Sequence, residues 1–555
     1  MNKYISLILF TLIVLFFAGV LPGSNVVIQQ VQLDGNNINA SFINTGIFDQ
    51  DLRTSNTPGF EWPKGSGKYA VFTAGLSCGA YIQNNLREFM CSYKGELAPG
   101  YIIDSAGTPK PKTDSRFKLY KVRRNFINDP DWLNWQLMTP FGAPFIDVNN
   151  NNIYEPFIDT PGVKGASQTI FACFTDGFPE THTMGEGFGG GTVPMFAEIR
   201  LTAWCYGIPG LEDIQYIKWQ VINKNKFSWD STFFAIVTDP DLGNASDDYI
   251  GCDTIRRLGF CYNGDNNDDG SYSYGINPPA VGFKLIRSAK KNDGTQLGMT
   301  SFVYFSGSAA TTPPCELDPN GEAINAYYFL TGVKKDKTPW VIPPGGSPSL
   351  KTKFVYSGDP ETGLGWNEGL PGNPSGSVKN CGGPDSLSGT VIPVNGAADR
   401  KMIISSGSKQ LKINPGDTQI IVAAQLIARG NSNLNSVTKL KQLSDVAQYY
   451  YDSVNAIGIE NISNEIPQQY KLYQNYPNPF NPKTIINYQL PMSNYVQLLI
   501  YDVMGKKAAV LVNQKQNAGT YEAEWDASQF ASGIYFYSLM IDGNLFDSKK
   551  MVLIK

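Results

Sequence analysis

A chain of 555 residues exceeds what one compact core usually holds, so about three or four cooperative units are expected. Its 45 basic and 49 acidic residues give a net charge of −4, with no dense Lys/Arg run to meet a phosphate backbone or an anionic bilayer. Nucleic-acid binding is excluded on that ground.

The first segment, 1–23, sets Lys3 ahead of an apolar run from Tyr4 to Val20 and ends in small and turn residues through Gly23, the pattern of a secretory signal peptide. An N-terminal membrane anchor is the alternative. No later apolar stretch reaches ~18 residues, so no membrane span is expected once the signal is removed. Export would place the eight cysteines in an oxidising compartment. None lies in a C-x-x-C pair and the chain has one histidine, His182, so thiolate zinc sites are disfavoured. The short spacings suggest Cys78 with Cys91 and Cys252 with Cys261, leaving Cys173, Cys205, Cys315 and Cys381 for longer bridges; spacing alone does not fix connectivity.

The body, 24–458, reads as β-rich, made of two or three sandwich-like units. With 55 glycines and 35 prolines, its apolar segments are short, and most alternate with the period of two that half-buried strands require. Strands are expected at 198–206, 214–222 (with Ile217, Trp219 and Val221 on one face), 233–238, 302–305 and 418–427. One helix is expected, near the body's end, from Ser436 to Val454: Ser436 caps it, and Val437, Leu440, Leu443, Ala447, Tyr450 and Val454 recur every three or four residues. The stretch 459–469 is polar, unpatterned and interrupted by Pro467, which reads as a linker.

The last segment, 470–555, opens with Pro477, Pro479 and Pro482, which forbid helix and feed an extended entry into a strand at 484–490. Further strands are expected at 496–503, 533–540 and 550–554, with turns at 504–506 and 517–519. The blocks YPNPFNPKT, IYDVMGK, NAGTYEAEWDAS, ASGIYFYSL and SKKMVLIK follow one another from residue 476 to the end. In that order they resemble the C-terminal sorting domain of the type IX secretion system, type A. The resemblance implies an Ig-like sandwich read by the type IX secretion machinery, and Sec-type export to the periplasm followed by passage to the cell surface or medium. It also implies, in many relatives, removal of the domain by a sortase-like surface protease with attachment to lipopolysaccharide.

Within the body, calcium is the leading chemical expectation. Asp147, Asn149 and Asn151 stand at loop positions one, three and five, with the carbonyl of Ile153 at seven, the spacing by which an acidic loop wraps a hard cation. Glu155 and Asp159 complete the set. Position twelve is Ile158 rather than a carboxylate, so the loop is not an EF-hand, and an Asn-rich turn closed by its own hydrogen bonds is the alternative. Asp265, Asn267 and Asp269 repeat the half-motif, followed by Gly270. A third acidic stretch, from Asp239 and Asp241 to Asp247, Asp248 and Asp253, is expected to be a solvated loop.

Three enzyme-like patterns fail on context. Gly75-Leu-Ser77-Cys-Gly79 fits a nucleophile elbow with Asp159 and His182 downstream, but the alternating helices of a hydrolase fold are missing. The G-x-G-x-x-G of residues 185–190 precedes a strand where a dinucleotide site needs a helix. The stretch 63–68 lacks the first glycine and the Ser/Thr of a phosphate loop. Aromatic residues, 12% of the chain, would serve either a core or sugar-stacking platforms. The expectation is an all-β, multi-domain surface protein with a non-enzymatic binding, adhesive or structural role toward glycans or matrix. The alternative is a secreted hydrolase of polysaccharide or protein.

Overall fold

The strand Ile214–Asn223 explains the architecture, because it is apolar on both faces. Ile217, Trp219 and Val221 enter one core while Ile214 and Tyr216 enter another, so this strand must be covered on two sides. The computed structural model describes residues 28–54, 57–103, 108–109, 114–182, 187–270, 272–307, 312–342, 350–368, 381, 397–455, 460–463, 469–516 and 518–555. The expected signal peptide and most of the expected linker lie outside these residues.

Two large antiparallel sheets form the body. One runs, in spatial order, Ser301–Phe305, Lys401–Gly407, Asp230–Asp239, Thr73–Ile82, Ile47–Phe48, Asn39–Ile43, Phe60–Glu61 and Tyr69–Val71. The other runs Ala98–Pro99, Gln168–Thr175, Ala197–Cys205, Ile214–Asn223, Thr418–Ala428, Ala280–Arg287, Leu258–Asn263 and Asp248–Asp253. They share one hydrophobic core. Phe48 of the first sheet stacks on Phe42 at 5.5 Å and meets Trp219 and Phe283 of the second, each at 6.1 Å. All five strands anticipated in the body are present within a few residues.

The second core lies on the outer face of the second sheet, beneath the helix Asn433–Asn455. Val437, Leu440 and Ala447 are fully buried there, and Leu443 and Tyr450 pack at its edge. Tyr216 reaches from the sheet to donate to the carbonyl of Ala447 at 3.0 Å. Truncating a side chain as enclosed as Leu440 to Ala costs ~2–5 kcal/mol. The cap differs from expectation: Ser432 accepts the N–H of Asn435 at 3.0 Å, while Ser436 is buried and donates to the carbonyl of Pro278 at 2.7 Å. Two shorter helices, Pro130–Asn134 and Ala323–Leu330, were not anticipated. Among the described residues no helix is long and apolar enough to cross a membrane.

The expected local disulfides are absent, and strand register explains why. Cys252 faces Gly259 and Cys261 faces Ile250, so the two residues are diagonal neighbours, a relation that sets backbones about 7–8 Å apart, past the usual Cα separation of a disulfide, and both are free. Cys78 faces Phe89, and Cys91 donates its N–H to Ser77 at 3.1 Å. Cys173 and Cys205, on adjacent strands, face Arg200 and Gln168 and project into different cores. All six are buried thiols, and Cys315 bonds to Cys381.

The C-terminal module is a second sandwich of two four-stranded sheets. One joins Glu460–Ser463, Gly519–Asp526, Lys483–Leu490 and Lys471–Leu472; the other joins Lys507–Gln516, Asn494–Asp502, Gly533–Ile541 and Asn544–Leu553. Part of the expected linker is therefore a strand, because Glu460–Ser463 adds to the open edge of Gly519–Asp526 through backbone pairing that needs no apolar pattern. Trp525, Tyr488 and Tyr537 fill the core. The Asn475 side chain donates to Thr484 Oγ1 at 2.8 Å and to the carbonyl of Pro477 at 3.1 Å. Its N–H donates to the Tyr537 hydroxyl at 2.7 Å, and that hydroxyl donates to the carbonyl of Tyr473 at 2.8 Å. The first and fourth sequence blocks are thereby tied together.

Candidate functional site

The acidic stretch expected to be solvated turns inward. Pro240 follows the strand Asp230–Asp239, and the register that sets Thr238 opposite Met402 brings Asp239 beside Lys401 and the preceding Asp399. One oxygen each of Asp239, Asp241 and Asp399 lies within 4.8 Å of the others. Tyr93 donates to Asp239 Oδ2 at 3.1 Å, and Lys401 Nζ sits 3.4 Å from Asp239 Oδ1 while hydrogen-bonding Asp399.

Burial pushes the Asp239 carboxyl well above its ordinary range against the opposing pull of Lys401. Burial, then the Asp399 charge, raises Asp241 to about 7. For Lys401 burial works against the ammonium, and Asp239 and Asp399 outweigh it, so its pKa rises. The side chain of Asp399 is 47% exposed, which opens the cluster to solvent. Such a group can hold a proton near neutral pH or accept hydrogen bonds from a polar ligand. Sequence reading noted Asp239 and Asp241 but missed Tyr93, Asp399 and Lys401, which only tertiary pairing brings in. Further along, Asp248 is also buried because its carboxylate accepts the N–H of Leu242 at 3.0 Å and so closes the turn.

The first expected calcium loop is exposed and closed on itself. Asp147 accepts the N–H groups of Asn151 at 3.2 Å and Asn152 at 2.6 Å; Asp159 accepts those of Val148 at 2.9 Å and Glu155 at 2.8 Å. The amides of Asn149 and Asn151 converge on Glu155 Oε2 at 2.6 and 2.7 Å. The oxygens of these amides accept backbone N–H groups, Asn149 from Asn151 at 3.2 Å and Asn151 from Ile153, so a hard cation here would take Glu155 and have to turn both amides away from those donors. Asn152 has φ +61°, the left-handed turn its position demands. Ile153 is exposed, and Asn151 accepts its N–H at 2.7 Å.

In the second loop Asp265 accepts the N–H of Asn267 at 2.7 Å and Asn267 donates to Asp269 at 2.8 Å. The buried carboxylate there is Asp268, unremarked in the sequence, which accepts from Tyr274 and from Asn244.

The enzyme-like patterns resolve into structural roles. Ser77 is fully buried in mid-strand, not at a strand-to-helix elbow. His182 sets Nε2 2.9 Å from the carbonyl of Asp176 and Nδ1 3.7 Å from Glu96, and burial draws its pKa down to about 4. Ser77, His182 and Asp159 therefore serve three separate networks. In the glycine loop, Gly190 donates to Glu88 at 3.2 Å and Gly191 to Glu96 at 2.7 Å, so its amides hold the protein's own carboxylates. A Cβ on Gly190, at φ +93°, would fall 2.2 Å from Glu96 Oε1. Gly185 lies outside the described residues. The pseudo phosphate loop spends the Gly67 N–H on Glu61 at 2.8 Å.

An open groove of about 550 Å³ is lined by Asp34, Lys121, Arg123, Asp129, Asp131 and Gln168 among others. Lys121 pairs with Asp34 at 2.7 Å and Arg123 with Asp129 at 3.3 Å. The Arg123 guanidinium lies 3.8 Å over the ring of Phe126, which is 44% exposed.

No curated protein sequence matches the chain. Among solved structures, a polysaccharide lyase shares 9% identity at a TM-score of 0.17, covering 64% of this chain and 34% of that one. Dimeric latent PorU from Porphyromonas gingivalis shares 10% identity at a TM-score of 0.14, covering 70% and 31%. The chain spans about a third of the length of each. Residues 474–555 match the family described as the secretion system C-terminal sorting domain. That span coincides with the separate C-terminal sandwich, so this chain carries a type IX secretion C-terminal sorting domain.

Proposed function

We propose that the body is a non-enzymatic binding or adhesive unit, brought to the periplasm by Sec-type export and displayed or released outside the outer membrane by the type IX machinery, where it engages glycan or matrix. The groove beside Phe126 carries the reading. Carboxylates, an amide and two cations in one open trough supply both acceptors and donors, the set that pairs with a hydroxyl-rich ligand. Phe126, backed by Arg123 on one face, offers the apolar platform such a ligand stacks on. The secreted chain on a glycan array tests this: binding that Phe126→Ala and Arg123→Gln abolish is expected, and a blank array together with no retention on extracellular matrix overturns it. Calcium bound at the Asp147–Asp159 loop would stiffen this unit.

The second reading, a secreted hydrolase, is favoured by one observation, the close Asp239 and Asp241 carboxyls with raised pKa. Paired acids about 5–5.5 Å apart serve retaining glycoside cleavage. Release of reducing sugar that Asp241→Asn eliminates would establish it in place of the binding role.

A further inference from the structure

The two outer faces of the sorting module differ in chemistry and in what covers them. On the strand Gly519–Asp526 the outward positions include Glu522, Glu524 and Asp526, and Glu522 meets Lys290 of the body at 2.6 Å and Arg287 at 3.6 Å. That face meets the body at Glu522, while Glu524 and Asp526 stay exposed beside Lys483 at 2.8 and 3.8 Å.

The other sheet turns a different surface outward. Register aligns Lys507, Tyr501, Phe536 and Lys550 in one row across four strands, with Ile534 and Val552 paired beside it. Ile534 and Phe536 are 42% and 38% exposed. No outward position in that row or that pair is acidic. An apolar stripe ended by lysines, on a sheet face with no partner among the described residues, is costly to leave in water and is a recognition surface by composition.

We propose that this face, centred on Tyr501, Ile534, Phe536 and Val552 and flanked by Lys507 and Lys550, is where the sorting module docks on its export receptor, a component of the type IX machinery presenting an apolar patch rimmed by carboxylates. The inference rests on the export reading above and adds the surface and the receptor's chemistry to it. Charge decides the occupant: the acids of the opposite face are paired within the chain, Glu522 with Lys290 and Arg287 of the body and Glu524 and Asp526 with Lys483, so the lysine-flanked face is left to select a partner of opposite sign.

The full chain is expressed in a type IX-competent host and its surface-plus-medium fraction is compared with the periplasmic fraction. Ile534→Ser with Phe536→Ser is expected to lower delivery about tenfold, and so is Lys507→Glu with Lys550→Glu, which touches no core residue. Glu524→Gln, on the opposite face, is expected to leave delivery unchanged. Removal of residues 470–555 is the reference. If that removal fails to retain the chain, the export reading itself falls. If removal retains the chain while the charge-reversed variant, with unchanged melting temperature, is delivered at the wild-type level, the docking face is wrong and the export reading stands. Equal loss on Glu524→Gln also overturns it. So does self-association of the purified chain that the charge reversal abolishes, since a second copy would then occupy the face.

Discussion

Lys290 of the body places its ammonium 2.6 Å from the carboxylate of Glu522 in the sorting module, with both side chains largely withdrawn from water at 21% and 14% exposure. An exposed pair contributes ~0–1 kcal/mol, and breaking a buried one costs ~3–5 kcal/mol. This contact lies between the two. A double-mutant cycle on Lys290→Ala and Glu522→Ala, read by chemical denaturation, is expected to give a coupling of about 1–2 kcal/mol. A coupling indistinguishable from zero would mean that the module does not rest on the body through this contact in solution.

The six buried thiols make a second prediction. In the folded chain none should react promptly with a disulfide reagent, and six should react once denaturant is added. Burial also raises the thiols, Cys205 to about 12, which suppresses the reactive thiolate. Eight reactive thiols on denaturation would dissolve the Cys315–Cys381 bond, and fewer than six would mean that further bridges form.

Those cysteines show where sequence reasoning reaches its limit. Period-two alternation revealed the strands, and the ordered C-terminal blocks revealed the sorting module, because both signals are local. Whether Cys252 meets Cys261 or Gly259 depends on a register slip of two residues, which spacing does not encode. Asp239 is the same case. It reads as one acid among several near a proline, and only the partner strand Lys401–Gly407, about 160 residues later, turns it into a buried group facing Lys401. Ser436 was legible as helical and not as buried, since its burial is set by Pro278 on a neighbouring strand's approach.

Lys284 makes the stability depend on alkaline pH. It is buried beneath the C-terminal helix of the body, its ammonium donating to the carbonyl of Arg256 at 2.8 Å. Burial, then the Arg257 charge, draws its pKa from 10.5 down to about 8, with Arg256 adding to the effect and Asp445 and Asp253 opposing it. Between pH 8 and 10.5 the unfolded chain binds the proton that the folded chain has lost, so stability rises with pH across that window and the penalty is full below it. Lys284→Met should flatten this rise. At pH 7 it should stabilise by about 2 kcal/mol, taking ~3 kcal/mol from linkage less ~1 kcal/mol for the lost hydrogen bond. Denaturation midpoints at pH 7 and pH 10 that differ equally in both chains would remove Lys284 as the cause.

Calcium at the Asp147–Asp159 loop is tested by melting the chain in calcium and in chelator. A cation held by Asp147, Asn149, Asn151 and Glu155 with the Ile153 carbonyl stabilises the folded state by about 2.7 kcal/mol at a hundredfold excess over Kd. Asp147→Ala is the wrong variant, because Asp147 also accepts two backbone N–H groups and its loss would weaken the loop with or without an ion. Glu155→Gln keeps an acceptor for the Asn149 and Asn151 amides while removing the charge on which they converge. It should melt like the wild type in chelator and lose most of the gain in calcium. Asp265→Asn, in the loop whose buried carboxylate is Asp268 instead, should keep the gain if the first loop is the site. Equal melting temperatures of the wild type in calcium and in chelator would leave both loops as turns held by their own Asx hydrogen bonds.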